Sequence, residues 1–224
     1  MLLQIKDAQF CNREQKISIR NINLHMHTYQ WVTVRSESYG ISKDFLRGLN
    51  AQSSSSWTKW NALEVCLSEW DTSQYRSLFP LITNEPVGWS GSVEQALKIP
   101  FYWKNHRKKT WPQPMIEQWL YALGFSDHTL KKHCDILERH DLLKLSLIRA
   151  LSLEPTVLLI DDIWTSFSHK EKEQVVNILK LWLHPRNKKS RAIITADQNS
   201  IVQHHATHRY ILDQEGLQKT NFLF

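Results

Sequence analysis

Leu145-Ser-Leu-Ile-Arg-Ala-Leu-Ser-Leu-Glu-Pro-Thr-Val-Leu-Leu-Ile-Asp-Asp-Ile-Trp-Thr-Ser-Phe167 is the stretch on which the fold turns. Leucines and isoleucine recur at helical spacing up to Leu151, and Glu154-Pro155 stops that helix. The run that follows, Thr156-Val-Leu-Leu-Ile160, is continuously apolar. Continuous rather than alternating apolarity marks a strand covered on both faces, as in a parallel sheet. Two carboxylates, Asp161 and Asp162, close the strand. In open α/β sheets ligands bind beyond such strand tips. One carboxylate there can hold Mg²⁺, and a second can orient an attacking water.

Downstream the same grammar continues. Residues 168–183 read as an amphipathic helix with Val175, Val176, Ile178, Leu179 and Leu181 inward. Arg191-Ala-Ile-Ile-Thr195 reads as a second buried strand and residues 199–207 as a helix. Residues 209–213 and 217–224 flank a turn and read as a terminal hairpin. Upstream, residues 92–150 read as mostly helical. The segments are a capped start at Ser92, then 114–123 ended by Gly124, then 126–139 and 142–151. At the start, residues 2–10 and 17–26 read as half-buried antiparallel strands. Trp31-Val-Thr-Val34 is a short strand, followed by a polar turn over 35–42 and a helix over 44–49. Residues 52–60 read as a surface loop. The expected fold is α/β: a parallel-sheet core with an N-terminal antiparallel β subdomain and a helical insertion. One domain is expected over residues 1–224, parsed as 1–91, 92–150 and 151–224.

Composition bounds the function. The 224 residues are 42% hydrophobic and 22% charged, which excludes a disordered or collagen-like chain. Cys11, Cys66 and Cys134 are widely spaced without a CxxC, so reduced thiols are expected rather than a disulfide framework. The start lacks a basic region and a long apolar stretch, so no signal peptide is expected. No segment approaches the roughly 18 apolar residues of a transmembrane helix. A net charge of +6 allows an anionic partner without demanding one.

The stretch 145–167 resembles the nucleotide-binding domain of ATP-binding cassette (ABC) proteins, which are P-loop NTPases. In that family a helix of the form LxxARAL-xxxP precedes the Walker B strand, an acidic pair and a turn. Here those places hold Leu147-Ile-Arg-Ala-Leu151, Glu154-Pro155, Val157-Leu-Leu-Ile-Asp161-Asp162 and Thr165-Ser166. The resemblance extends in order to Gly91-Ser-Val-Glu-Gln-Ala-Leu97, Leu123-Gly124-Phe125, Ile193-Ile-Thr-Ala-Asp197 and Tyr210-Ile-Leu-Asp213. It implies Asp161 as a Mg²⁺ ligand and Asp162 at the position of the catalytic glutamate.

The resemblance fails where the family's chemistry is done. A working P-loop is G-x-x-x-x-G-K-[ST], whose backbone amides and lysine cradle the phosphates. This chain reads Ser36-Glu-Ser-Tyr-Gly-Ile-Ser-Lys-Asp44. Aligned from both flanks, Ser36 and Ile41 replace the glycines, Ser42 the lysine and Lys43 the hydroxyl. Sliding by one residue moves Lys43 into the lysine place but puts Asp44 at the hydroxyl. In either alignment Gly40 is the sole glycine left, so a nucleotide-binding set of Gly40, Ser42, Lys43 and Asp44 is degenerate. The signature motif aligns with Leu137-Glu-Arg-His-Asp141, the D-loop with Ser166-Phe-Ser-His169 and the switch histidine with Ala196. The adenine-stacking aromatic falls near Asn12, and the Q-loop near Thr83-Asn-Glu85.

The implied protein is an ABC transporter ATP-binding-type subunit with weak or absent ATPase activity. It would be cytoplasmic, peripheral at the inner face of the membrane, and partnered by a membrane subunit, a second ABC ATPase subunit, or both. ATP and Mg²⁺ are the ligands implied. Alternatives are a divergent but active transport ATPase, or a regulatory or nucleic-acid-binding module. The last would use the basic tracts at 104–109 and 186–191 with Trp103 and Trp111; nucleic acid is not the favoured partner. The tract at 104–109 reads most simply as a solvated loop. The tryptophans Trp57, Trp60, Trp70, Trp89, Trp103, Trp111 and Trp119 fit a protein interface or plain core packing. His204-His-Ala-Thr-His208 reads as helix surface rather than a metal site.

Overall fold

The computed structural model describes all residues except 13–16, 38, 52–55, 58–59, 186, 188 and 221–224. In chain order its elements are β1 (Leu3–Asn12), β2 (Ile17–Met26), β3 (Trp31–Arg35), α1 (Tyr39–Leu49), β4 (Ser56–Trp57), β5 (Trp60–Ala62) and β6 (Val65–Cys66). There follow α2 (Thr72–Leu78), β7 (Leu81–Thr83), α3 (Val93–Lys98), α4 (Gln113–Ala122) and α5 (Arg139–Ser152). The chain ends with β8 (Val157–Asp161), α6 (His169–Leu183), β9 (Ala192–Ala196), α7 (Ser200–His205), β10 (His208–Asp213) and β11 (Gly216–Thr220).

One sheet is antiparallel, in the order β2-β1-β5-β6 with β4 also on β1. In β1 the buried residues run Leu3, Ile5, Ala8, Phe10, and in β2 Ile19, Ile22, Leu24, Met26. Each series skips one place. The β1–β2 register shifts on either side of Ala8, and Asp7 and Asn21 take positive φ. Such bulges return the apolar side chains to one face after the skip.

The second sheet has the order β11-β10-β3-β9-β8-β7. Neighbours from β10 to β7 are parallel, and β11 returns antiparallel to β10. Every residue of β8 and β9 is buried, as strands covered on both faces require. One apolar core lies against α3–α6; the other lies between the sheets around α1, whose Phe45, Leu46 and Leu49 are fully buried. α3 and α6 start from capping boxes, Ser92 with Gln95 and Ser168 with Glu171.

Four expectations need correction. The polar turn over 35–42 is shorter than expected, since α1 begins at Tyr39. Trp60 is not on a surface loop: it is buried in β5 opposite Ile5, while 52–55 and 58–59 lie outside the described residues. Residues 126–139 do not form one helix. They make two 3-10 turns, Thr129–Lys131 and Cys134–Ile136, because the intervening segment is extended against residues 91–93. Val93 N donates to Lys132 O at 2.9 Å and Cys134 N to Gly91 O at 2.9 Å. Leu181 faces solvent, 72% exposed. The inward stripe of α6 is Val175, Val176, Ile178, Leu179, Trp182 and Leu183, a helical series that passes Leu181 by.

Candidate functional site

Parallel strands align their C-terminal ends, and the register brings residues expected at motif positions into one row. Val34 of β3 pairs with Ala196 of β9, Ala196 with Asp161 of β8, and Asp161 with Thr83 of β7. Neighbouring strands stand about 4.8 Å apart, so the row is one continuous edge. Beyond it the chain stays pinned. Asp162 N donates to Ala196 O and Asp197 N to Val34 O, each at 3.3 Å. Gln198 Nε2 donates to Ser36 O at 3.2 Å. Asp161 is buried, and Asp162 is half-buried at a left-handed φ of 41°.

Only residues 36–38 separate β3 from α1, so Gly40, Ile41, Ser42, Lys43 and Asp44 all lie in the helix. Ser42 and Asp44 are buried, while Gly40 and Lys43 are half-buried. The phosphate cradle of a P-loop needs a loop across four residues between its glycines. Here Tyr39 and Gly40, two of those four, are helical, and their amides belong to the first turn of α1. The sequence reading put residues 35–42 in a turn and did not anticipate this helix extension.

Asp197, next to the switch-histidine position, was not among the expected site residues. It is buried, and its Oδ1 accepts from Asn199 N at 2.5 Å. Its Oδ2 has no hydrogen-bond partner among the described residues. Burial above all, with the Asp162 charge adding, pushes its carboxyl up to about 7, against the amides of Asn199 and Gln198 and the Lys172 charge. An acidic residue following a buried strand was the available signal.

The signature-position segment leads into α5, whose N-cap is Glu138, without a capping side-chain bond. Its first turn is a charge network. His140 lies 3.3 Å from Glu138, 3.4 Å from Asp141 and 3.7 Å from Glu171. Lys144 bridges Asp141 at 2.9 Å and Glu171 at 3.0 Å. Burial would raise the Glu171 carboxyl, but bonds from Ser168 and Lys144 hold it down at about 2. The Q-loop position Thr83 ends β7, and its hydroxyl donates to Glu85 O at 3.3 Å. Asn12 ends β1.

The remaining candidates separate. Trp60 is buried, Trp89 and Trp111 pack against a core, and Trp103 is exposed. Arg191, the last residue of the basic tract offered as a nucleic-acid face, is buried. It donates to Trp182 O at 2.7 Å and reaches Glu154 at 3.4 Å; Arg186 and Lys188 of that tract lie outside the described residues. Among the described residues no helix is long and apolar enough to cross a membrane.

No family model matches this sequence, and no curated protein does. Solved structures do. The structure of cbiO1 from Clostridium perfringens, part of the ABC transporter complex cbiONQ, superposes with a TM-score of 0.76 at 13% identity. That match covers 96% of this chain and 86% of cbiO1. An ATP binding subunit of an ABC transporter superposes with a TM-score of 0.78 at 14% identity, covering 99% of this chain and 90% of that one. The chain therefore has the ABC ATP-binding-subunit fold along nearly its whole length.

Proposed function

We propose that the chain is an ABC transporter ATP-binding-type subunit whose own nucleotide site is degenerate, working as the partner of a membrane subunit, a second ATPase subunit, or both. The observation that carries this reading is a contrast along one sheet edge. Asp161 keeps the Walker B place, while Ser42 and Ala196 hold the lysine and histidine places and α1 starts by Tyr39. The residues present do not fit a triphosphate: two of the four residues that would loop around it are helical, and Glu37, Asp44 and Asp162 add negative charge. Lost cradle and charge-stabilising groups typically cost 10² to 10³ in rate each.

An apolar groove of about 590 Å³ between β7 and the helical segment supports the partner role. Ile82, Val87, Trp89, Ile99, Trp103 and Leu153 line it. Such a groove suits an amphipathic helix of a membrane subunit.

Titration calorimetry with ATP and ADP, with and without Mg²⁺, tests the degenerate site. No saturable heat up to millimolar nucleotide is expected; micromolar binding lost in Asp161→Ala would overturn it. Purification from native membranes tests the subunit role, which fails if neither a membrane protein nor a second ATPase co-purifies. Asp161 and Asp162 at the strand tip favour a second reading, a divergent active ATPase. Hydrolysis in the assembled complex that Asp161→Asn abolishes would establish it instead.

A further inference from the structure

From the exposed turn that follows residue 101, we infer a lipid-contact surface: Tyr102, Trp103, Lys104, Arg107 and Lys108 seat the chain directly on an anionic membrane. The inference rests on the reading that the chain works at a membrane. It adds a contact with the lipid itself.

Tyr102 and Trp103 are 77% and 57% exposed, uncommon for adjacent large aromatics. A loose loop is not the cause. Pro100 and Phe101 are buried beneath them, and Phe101 packs edge-on to Trp111 at 5.4 Å. Trp103 N donates to Pro100 O at 3.2 Å and His106 N to Trp103 O at 2.9 Å. Asn105 Nδ2 donates to Ser73 Oγ at 2.7 Å, and Lys109 Nζ bonds to Leu153 O. The rings are held outward by a turn fixed at both ends.

The turn itself carries charge of one sign, with Asp71 and Glu85 the acids lining its neighbouring grooves. Between Glu94 and Glu117 the sequence has no Asp or Glu. Lys98 is paired with Glu94, and Lys109 is turned inward to Leu153. That leaves Lys104, Arg107 and Lys108 exposed, without an ion-pair partner among the described residues. His106 is buried beneath them and burial pushes it down to about 4, so it stays neutral. From α2 the turn is faced by Asp71, whose carboxylate caps Gln74 N at 2.9 Å.

Exposed Tyr and Trp rings with flanking cations match the headgroup level of an anionic bilayer, where rings sit at the interface and each Lys or Arg adds attraction. A nucleic acid would use the cations and rings but not aliphatic side chains. Here Ile99 and Val87, exposed by 38% and 69%, line the same groove as Trp103 and extend the apolar surface.

The test is co-sedimentation of the full chain with protein-free vesicles. One set mixes phosphatidylglycerol with phosphatidylcholine; the other is phosphatidylcholine alone. Binding to the anionic set only, weakened by salt, is expected. Y102A/W103A and K104E/R107E/K108E should each weaken it roughly tenfold or more, with unchanged circular dichroism. Equal binding to both sets, no binding, or binding indifferent to both variants would overturn the proposal. So would single-stranded DNA binding through these residues without vesicle binding. Because the vesicles carry no protein, failure here leaves docking on a membrane subunit intact; that docking is read separately in detergent.

Discussion

Gln198 ties the exit of one central strand to the exit of another, its Nε2 donating to the carbonyl of Ser36 at 3.2 Å. The bond fixes the residue that opens the phosphate-loop position against the segment that follows the switch-histidine position. With α1 already helical at Tyr39, the short connection is held from both sides.

Restoring charge alone should therefore not restore a site. Ser42→Lys is expected to leave ATP affinity undetectable by calorimetry, because a lysine without looped backbone amides has no cradle to complete. Its buried place in α1 makes the substitution destabilising by about 1–3 kcal/mol, which a urea titration would read.

Asp197 predicts a specific pH dependence. Its folded-state pKa, about 7, is raised from 3.8, so the folded state binds its proton more tightly than the unfolded chain. Its contribution is greatest at low pH and declines as pH rises from about 4 to about 7. Asp197→Asn removes that decline and keeps an acceptor for Asn199 N. The variant's stability relative to the parent should grow by about 2–3 kcal/mol between pH 5 and pH 8, measured by urea denaturation.

Glu171 predicts the opposite sign. Its carboxyl is held near 2 against burial, by Ser168 and Lys144. Stability from this group is present above its ordinary 4.5 and is lost as pH falls towards 2. Glu171→Gln keeps a side chain able to close the capping box but leaves Lys144 with Asp141 alone. A loss of about 1–3 kcal/mol at pH 7, shrinking at pH 3, is expected from chemical denaturation.

Gly216 is a steric test of the contact between β11 and β2. It has φ +133°, and an added Cβ would lie 2.8 Å from the carbonyl oxygens of Arg20 and Asn21. Gly216→Ala should cost about 2 kcal/mol or more and lower the thermal midpoint by several degrees.

Much of this was legible in the chain itself. Continuous apolarity at 157–160 marked β8, alternation marked β2 to its ends, and the apolar spacing of Val175, Ile178 and Leu179 marked α6. What escaped was set by tertiary partners. Residues 132–134 have helix-like apolar spacing nearby but are drawn into a bridge with 91–93. Lys109 and Arg191 look like surface cations yet donate to the buried carbonyls of Leu153 and Trp182. At the sheet edge, the strand tip at Asp161 was readable. The helical state of Tyr39 and Gly40 was not, because their spacing matches a loop as well as a first turn.

The place of β3 has a consequence for how the chain is made. Both of its sheet neighbours, β9 and β10, come from residues 192–196 and 208–213. During synthesis β3, at residues 31–35, emerges before either of them and stays uncovered on both flanks until residues 192–196 follow. Pairings so distant in sequence form slowly and leave apolar strand edges open meanwhile. Chains stalled before residue 192 should therefore be the aggregation-prone species on the ribosome, and ones held by a chaperone until β10 has passed the exit should be the productive ones.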